Sequence, residues 1–399
     1  MICKIMPNKK TKIKYQALTG GQAVAEAMRQ IDPEVVAAYP ITPQTPIIES
    51  FAQIVADGRV KTELINVESE HSALSAVVGA SAAGGRAMTA TASQGLALMA
   101  EIVYVASGSR LPIVMPIANR ALSAPINIHC DHSDSMFLRD AGWLQFYSEN
   151  AQEAYDNTLI ALKVAENKEV LLPAMVMMDG FITSHSVENV AIEKDKTVKK
   201  FIGKYDPEYP LLNIKKPITI GPLDLFDYFF EHKYQQAEAI EASRKIIREA
   251  DKEFAKLTGR KYDFVEKYKT SDAEFIIVIL SSTAGTAKIA VDKLRKEGKK
   301  VGLLKIRLMR PFPNQEIAQA LSKAKSVAVL DRAFSYGNYG PVFTEVRSAL
   351  YNLNKKPKLS NHIYGIGGRN INLEDLEKVY RELMENKVSE EVRYVGLRK

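Results

Sequence analysis

The regular alternation of short apolar runs with helical patterns between residues 15 and 190 constrains this chain most. Val35-Val36-Ala37-Ala38, Leu64-Ile65-Asn66-Val67, Ala87-Met88-Thr89-Ala90-Thr91, Pro112 to Ile117 and Ala174 to Met178 read as strands. Between them, Gly20 to Gln30, Thr45 to Val55, Glu70 to Ala83, Leu96 to Val105 and Glu149 to Glu166 read as helices. Strands separated by helical stretches of roughly ten to fifteen residues predict an α/β fold with a mostly parallel sheet covered on both faces. A second α/β block follows, with strands at Phe275 to Leu280, Val301 to Ile306 and Ser326 to Leu330. Its helices run from Thr283 to Lys296 and from Gly340 to Tyr351.

The domain plan is then a basic arm over 1–14, a first domain over 15–258, a smaller domain over 259–370 and a charged helical tail over 371–399. The first domain ends in a linker or surface excursion from about residue 190 and a long helix, Glu231 to Thr258, polar on most of its faces. The 399 residues suffice for two cores, and 46% apolar with 25% charged residues is ordinary globular composition. No apolar run reaches the roughly eighteen residues of a membrane span. The first fourteen residues carry five lysines without the apolar core and small-residue site of a signal peptide, so a cytoplasmic location is expected. The net charge of +7 is spread among lysines and glutamates rather than gathered into a nucleic-acid stripe. Cys3 and Cys130 are the only cysteines, too few for a zinc ribbon or an iron–sulfur cluster.

Candidate chemistry gathers where strands end. Tyr39-Pro40-Ile41-Thr42-Pro43-Gln44-Thr45-Pro46 follows the strand at 35–38, and its prolines predict extended backbone at Tyr39, Thr42 and Thr45. Open α/β sheets place ligands at such carboxyl ends. Thr42 there is either a hydroxyl donor to a small anion or a turn residue. Glu68-Ser69-Glu70 opens a helix of small residues, and Glu68 and Ser69 suit capping. Glu70 lies deeper, beside Ala73 and Val77, where a partly desolvated carboxylate can share a proton with a ring nitrogen. Thr91, Ser93 and Gln94-Gly95 fall at the same sheet edge, although Ser93 equally suits a helix cap. Arg120 ends an apolar strand and either grips a carboxylate with its forked donors or pairs with Asp131, Asp134 or Asp140. His129, Asp131, His132 and Asp134 have the spacing of no metal motif, and no metal site is expected on this chain. Ser281 to Thr286 lacks the spacing of a phosphate loop and reads as a structural strand–turn–helix.

Tyr39-Pro40-Ile41-Thr42-Pro43, Glu68-Ser69-Glu70, Thr91 to Leu96, Arg120-Ala121 and Asp179-Gly180-Phe181-Ile182-Thr183-Ser184-His185 occur in this order. Together with Arg310-Pro311-Phe312-Pro313 and Val329-Leu330-Asp331-Arg332 they resemble the 2-oxoacid:ferredoxin oxidoreductases, most closely the alpha subunits of the pyruvate enzymes. The resemblance covers about residues 15 to 370. It implies a thiamine-diphosphate-binding domain of the pyrimidine type followed by a transketolase C-terminal-like domain. It also implies oxidative decarboxylation of pyruvate with coenzyme A, giving acetyl-CoA and CO₂ and reducing ferredoxin through the thiamine ylid.

Residue by residue, the resemblance places Tyr39, Pro40, Ile41, Glu70, Thr91 and Ser93 at the cofactor, with Glu70 on the pyrimidine nitrogen, and Thr42 and Arg120 on the substrate carboxylate. It assigns the diphosphate and Mg²⁺ site to a beta subunit and the [4Fe-4S] clusters to beta and delta subunits, with a gamma subunit completing the complex. The chain agrees in lacking a Gly-Asp-Gly followed by a distant asparagine. Leu122 to Ile128 looks more like the pyruvate enzymes than the branched-chain ones. Branched-chain or 2-oxoglutarate specificity, and the pyrimidine half of a cluster-free thiamine enzyme such as a split transketolase, are the alternatives.

Overall fold

The computed structural model describes residues 14–398, so Cys3 and nearly all of the basic arm lie outside the described residues. Two large sheets organise the rest. The first has seven strands in the order Leu308–Arg310, Leu144–Ser148, Ala174–Asp179, Val114–Asn119, Ala87–Met88, Val35–Ala38 and Glu63–Asn66. All pairs are parallel except the outermost, where Leu308–Arg310 runs antiparallel to Leu144–Ser148. Every residue of Val114–Asn119, Leu144–Ser148 and Ala174–Asp179 is buried, as a sheet covered on both faces requires.

The expected first-domain strands and helices form, with local differences. Ala87–Met88 is a two-residue strand, and the chain rejoins the sheet only through a bridge from Thr91 to Ile117. The helical stretch after it is two helices, Ser93–Leu98 and Ala100–Gly108. Thr45 is not extended but begins the helix Thr45–Ala56, because Pro46 falls in the first turn, where a missing N–H costs nothing. The excursion after residue 186 is partly ordered. Val187–Ile192 pairs antiparallel with Lys14–Thr19, and Asp195–Ile202 forms a helix whose Val198, Phe201 and Ile202 are buried.

The second sheet orders its strands Arg393–Val395, Lys358–Tyr364, Ser326–Asp331, Phe275–Leu280, Val301–Ile306 and Val265–Tyr268, with only the last pair antiparallel. Two boundaries of the domain plan change. The tail expected from residue 371 is helical and docks on this domain: Leu376, Val379, Tyr380 and Leu383 of helix Leu373–Met384 share one face at helical spacing and are buried in its core. The segment Leu308–Arg310, placed in the second domain by sequence, completes the first domain's sheet.

The long helix, Phe229–Thr258, buries Ala239, Ser243, Ile246, Ile247, Ala250 and Phe254 along the first domain. It also reaches the second. Asp251 forms a buried, two-pronged pair with Arg307 at 2.9 and 3.1 Å, and Glu316 receives Arg244. Ahead of the helix, residues 203–228 hold no helix or strand, and Ile214, Leu223 and Phe226 are about nine-tenths exposed. No helix among the described residues is long and apolar enough to cross a membrane.

Candidate active site

The carboxyl ends of the parallel strands of the first sheet feed five connections: Tyr39–Gln44, Val67–Ser69, Thr89–Ala92, Arg120–His132 and Gly180–Phe181. The proline loop is anchored by a side chain that proline logic does not reveal. Gln44 is fully buried; its amide donates to the Ala90 carbonyl at 2.9 Å and its oxygen accepts the Ile41 N–H at 3.3 Å. Two neighbouring strand ends are thereby tied together. Tyr39, Pro40 and Thr42 remain at the surface of the loop, Ile41 is half-buried, and the Thr42–Pro43 peptide is cis.

Thr42 and Arg120 meet. The Arg120 guanidinium donates to the Thr42 carbonyl and to the Asn127 carbonyl, both at 2.9 Å. The ion pairs weighed for Arg120 do not form. Asp134 accepts the main-chain N–H of Arg120 at 3.0 Å and of Ser93 at 2.9 Å, and the Asn119 amide at 2.7 Å. Asp131 is taken by Ser133 and by the Gly367 N–H, and Asp140 by Arg310. Arg120 is 7% exposed, and burial lowers its pKa. Burial pushes Asp134 up to about 6, against the hydrogen bonds that hold it down. Arg120 is thus a positive charge paired to carbonyl dipoles, with no carboxylate at ion-pair distance among the described residues. Such a group favours an arriving anion.

Glu70 is the first residue of helix Glu70–Ala83 and is 8% exposed. As the capping reading held, Ser69 accepts the Ser72 N–H at 3.2 Å, and exposed Glu68 accepts the Ser72 hydroxyl. Glu70 instead faces Gly95. A Cβ at position 95 would lie 2.5 Å from Thr91 Oγ1 and 2.8 Å from Glu70 Oε1, so only glycine admits this approach. The Thr91 hydroxyl is fully buried and has no hydrogen-bond partner. The buried Glu70 carboxyl and the orphaned Thr91 hydroxyl, both packed against Gly95, are polar groups of the kind that a heterocycle such as an aminopyrimidine pairs with. Ser93 differs: its hydroxyl donates to the Ala121 carbonyl at 2.6 Å while its backbone has φ of +48°, so it shapes the turn.

Behind these residues lies a buried polar hub that joins the domains. Asp179 accepts from His132 at 2.8 Å, from Arg332 at 2.9 Å and from the Ser282 hydroxyl. Burial pushes Asp179 upward, but the His132 and Arg332 charges outweigh it and hold the carboxyl well below the usual range. Cys130 stands in the same cluster, and burial pushes its thiol well up. The four residues His129, Asp131, His132 and Asp134 therefore bond separately. The turn at Ser281 takes the structural role read from its sequence, with Ser281 donating to the Ser148 carbonyl at 3.2 Å. Gln44, Gly95, Asn127 and Asp134 are the site residues that sequence reading did not assign. Only Gly95 carried a local signal, as the small residue following Ser93-Gln94.

Comparison with known proteins gives the family. Residues 26–252 match the thiamine diphosphate-binding domain of pyruvate flavodoxin/ferredoxin oxidoreductase, and residues 273–376 match core domain II of pyruvate:ferredoxin oxidoreductase. The chain is 58% identical to pyruvate synthase subunit PorA of Thermotoga maritima, over 97% of this chain and 99% of that one. It is 47% identical to PorA of Methanocaldococcus jannaschii over the same shares, and 43% identical to ketoisovalerate oxidoreductase subunit VorA of Pyrococcus abyssi over 96% and 98%. Among solved structures it resembles 2-oxoglutarate:ferredoxin oxidoreductase from Magnetococcus marinus, with TM-score 0.73 and 21% identity. That match covers 92% of this chain and 65% of the other. It also resembles a split-gene transketolase, with TM-score 0.56 and 11% identity over 93% and 99%. These two likenesses bear on the fold alone. On its sequence matches, the chain belongs to the pyruvate:ferredoxin oxidoreductase family, alongside the PorA subunits.

Proposed function

We propose that this chain is the alpha subunit of a cytoplasmic pyruvate:ferredoxin oxidoreductase, or pyruvate synthase, and holds the pyrimidine half of a thiamine diphosphate site. The carrying observation is the Arg120 guanidinium, held beside Thr42 by main-chain carbonyls with no carboxylate at ion-pair distance among the described residues. When bound, thiamine diphosphate supplies the nucleophilic carbon and the electron sink that decarboxylation needs. This chain's residues prepare that chemistry. Glu70 holds a proton at a pyrimidine ring nitrogen, an assistance typically worth ~10²–10⁴-fold. Gly95 and Thr91 form the floor on which the ring rests, and Tyr39, Pro40 and Ile41 form the rim of the same loop. Ser93 acts by shaping the turn rather than through its hydroxyl. Arg120 and the Thr42 hydroxyl hold the oxoacid carboxylate, so that the keto carbon faces the cofactor.

The net reaction converts pyruvate and coenzyme A to acetyl-CoA, CO₂ and a proton, passing two electrons to two oxidised ferredoxins. The diphosphate, Mg²⁺ and [4Fe-4S] clusters are assigned to beta and delta subunits, with a gamma subunit alongside. Partner chains are supported by the exposed apolar stretch over residues 211–230, in which Leu212, Ile214, Leu223, Phe226 and Phe230 are at least three-quarters exposed.

The higher identity to PorA than to VorA supports pyruvate over a branched-chain oxoacid. The test is dye reduction by the anaerobically purified complex, dependent on pyruvate, coenzyme A and thiamine diphosphate. Activity with 3-methyl-2-oxobutanoate but not pyruvate shifts the reading to the branched-chain enzymes, and no activity with any 2-oxoacid overturns it.

A further inference from the structure

The loop that follows Arg120 is held from the other domain. Asn127 lies at its centre and serves Arg120 with its backbone, since its carbonyl accepts the Arg120 Nε–H at 2.9 Å. What orients that carbonyl is the Asn127 side chain. Its amide donates to the Gly367 carbonyl at 2.9 Å, and its oxygen accepts the His129 N–H at 2.7 Å. Gly367 belongs to the turn Ile366–Gly368, which follows strand Lys358–Tyr364 of the second sheet. The turn is fastened to the same loop twice more, through the Gly367 N–H to Asp131 at 3.2 Å and the Gly368 N–H to the Cys130 carbonyl at 2.7 Å.

Position 367 must be glycine for this contact. Its φ is +57°, and a Cβ there would sit 2.4 Å from the Asn127 side-chain nitrogen. The second domain therefore reaches the Arg120 guanidinium through Asn127.

We propose that Asn127 is a positioning residue for the oxoacid carboxylate, and that the Gly365–Gly368 turn of the second domain sets oxoacid affinity by holding it. The proposal rests on the reading of Arg120 as the carboxylate-binding residue. Asn127 touches neither substrate nor cofactor. It fixes the carbonyl that aims one edge of the guanidinium, while Thr42 fixes the other. A charged fork whose support is released loses geometry rather than charge, so substrate affinity falls while the rate from the bound state persists.

The test uses the assembled complex and four variants: Asn127→Ala, Gly367→Ala, Arg120→Ala and the Asn127→Ala/Arg120→Ala double. KM and kcat for pyruvate are measured alongside pyruvate Kd by ligand-detected NMR. Asn127→Ala and Gly367→Ala are each expected to raise KM and Kd about 10-fold, with kcat within about twofold and the complex intact. The double variant is expected to be no worse than Arg120→Ala, because Asn127 acts only through that arginine. If Arg120→Ala weakens pyruvate binding while neither Asn127→Ala nor Gly367→Ala does, the proposal falls and the carboxylate reading stands. If Arg120→Ala leaves KM unchanged, both fall. A parallel loss of kcat and complex integrity in Asn127→Ala and Gly367→Ala marks a purely structural role and overturns the proposal.

Discussion

Replacing Gly95 by alanine adds one methyl group where Glu70 and Thr91 already pack against the chain. The new Cβ would stand 2.5 Å from Thr91 Oγ1, 2.7 Å from Glu70 Cγ and 2.8 Å from Glu70 Oε1. Thr91 is fully buried, β-branched and bridged to Ile117, so it has little freedom to yield. Glu70 has to move, by on the order of 1 Å. Overpacking of this kind costs ~1–3 kcal/mol, and the better helix propensity of alanine returns up to ~1 kcal/mol. A net loss of ~1–2 kcal/mol is expected in chemical denaturation of the chain.

The functional loss should be larger, because a 1 Å misplacement of a reacting group can cost ~10²-fold. Thiamine diphosphate affinity of the complex is expected to fall at least ~10-fold, with turnover falling further. A variant destabilised as described that nonetheless binds thiamine diphosphate and turns over like the parent would contradict this role for Gly95. The close approach at Gly95 would then be a packing feature and the pyrimidine would sit elsewhere.

The exposed stretch before the long helix gives a test of assembly. Leu223→Asp/Phe226→Asp is expected to leave the isolated chain within ~0.5 kcal/mol of the parent but to release it from its partner subunits in native mass spectrometry; an intact complex would contradict the docking role. His362 gives a test of pH dependence. Burial, helped by the Arg393 charge, pushes its pKa from 6.5 down to about 4. The unfolded chain therefore takes up a proton that the folded chain refuses, and stability is lost as pH falls from about 6.5 to about 4, by ~3 kcal/mol in all. Urea titrations across that range should show the slope in the parent and a flatter profile in His362→Gln; equal slopes would mean that the buried imidazole is not responsible.

Local pattern carried much of the fold. The apolar runs at Phe275–Leu280 and Val301–Ile306 were readable because burial of nearly every residue leaves few polar side chains to blur them. Leu144–Ser148 was not read, since buried Gln145 and Ser148 interrupt its apolar character and are accommodated only by tertiary partners. The pairing of Leu308–Arg310 with Leu144–Ser148 joins segments far apart in sequence through three residues, too short a run to carry a period. The docked helix Leu373–Met384 is different, because its apolar face was visible at helical spacing and charge alone suggested a tail.

The site divides the same way. Thr42, Glu70 and Arg120 were legible as polar residues at strand ends. The residues that hold them, Gln44, Asp134 and Asn127, act through main-chain partners that no sequence spacing displays.

In the proposed function, Glu70 of this chain governs a proton on a pyrimidine ring held between two polypeptides. Quenched-flow NMR of deuterium exchange at C2 of thiamine diphosphate bound to the complex tests it most directly. With Glu70→Ala the complex is expected to assemble, while exchange slows by ~10²–10⁴-fold. Exchange at the parent rate in an intact Glu70→Ala complex would contradict it.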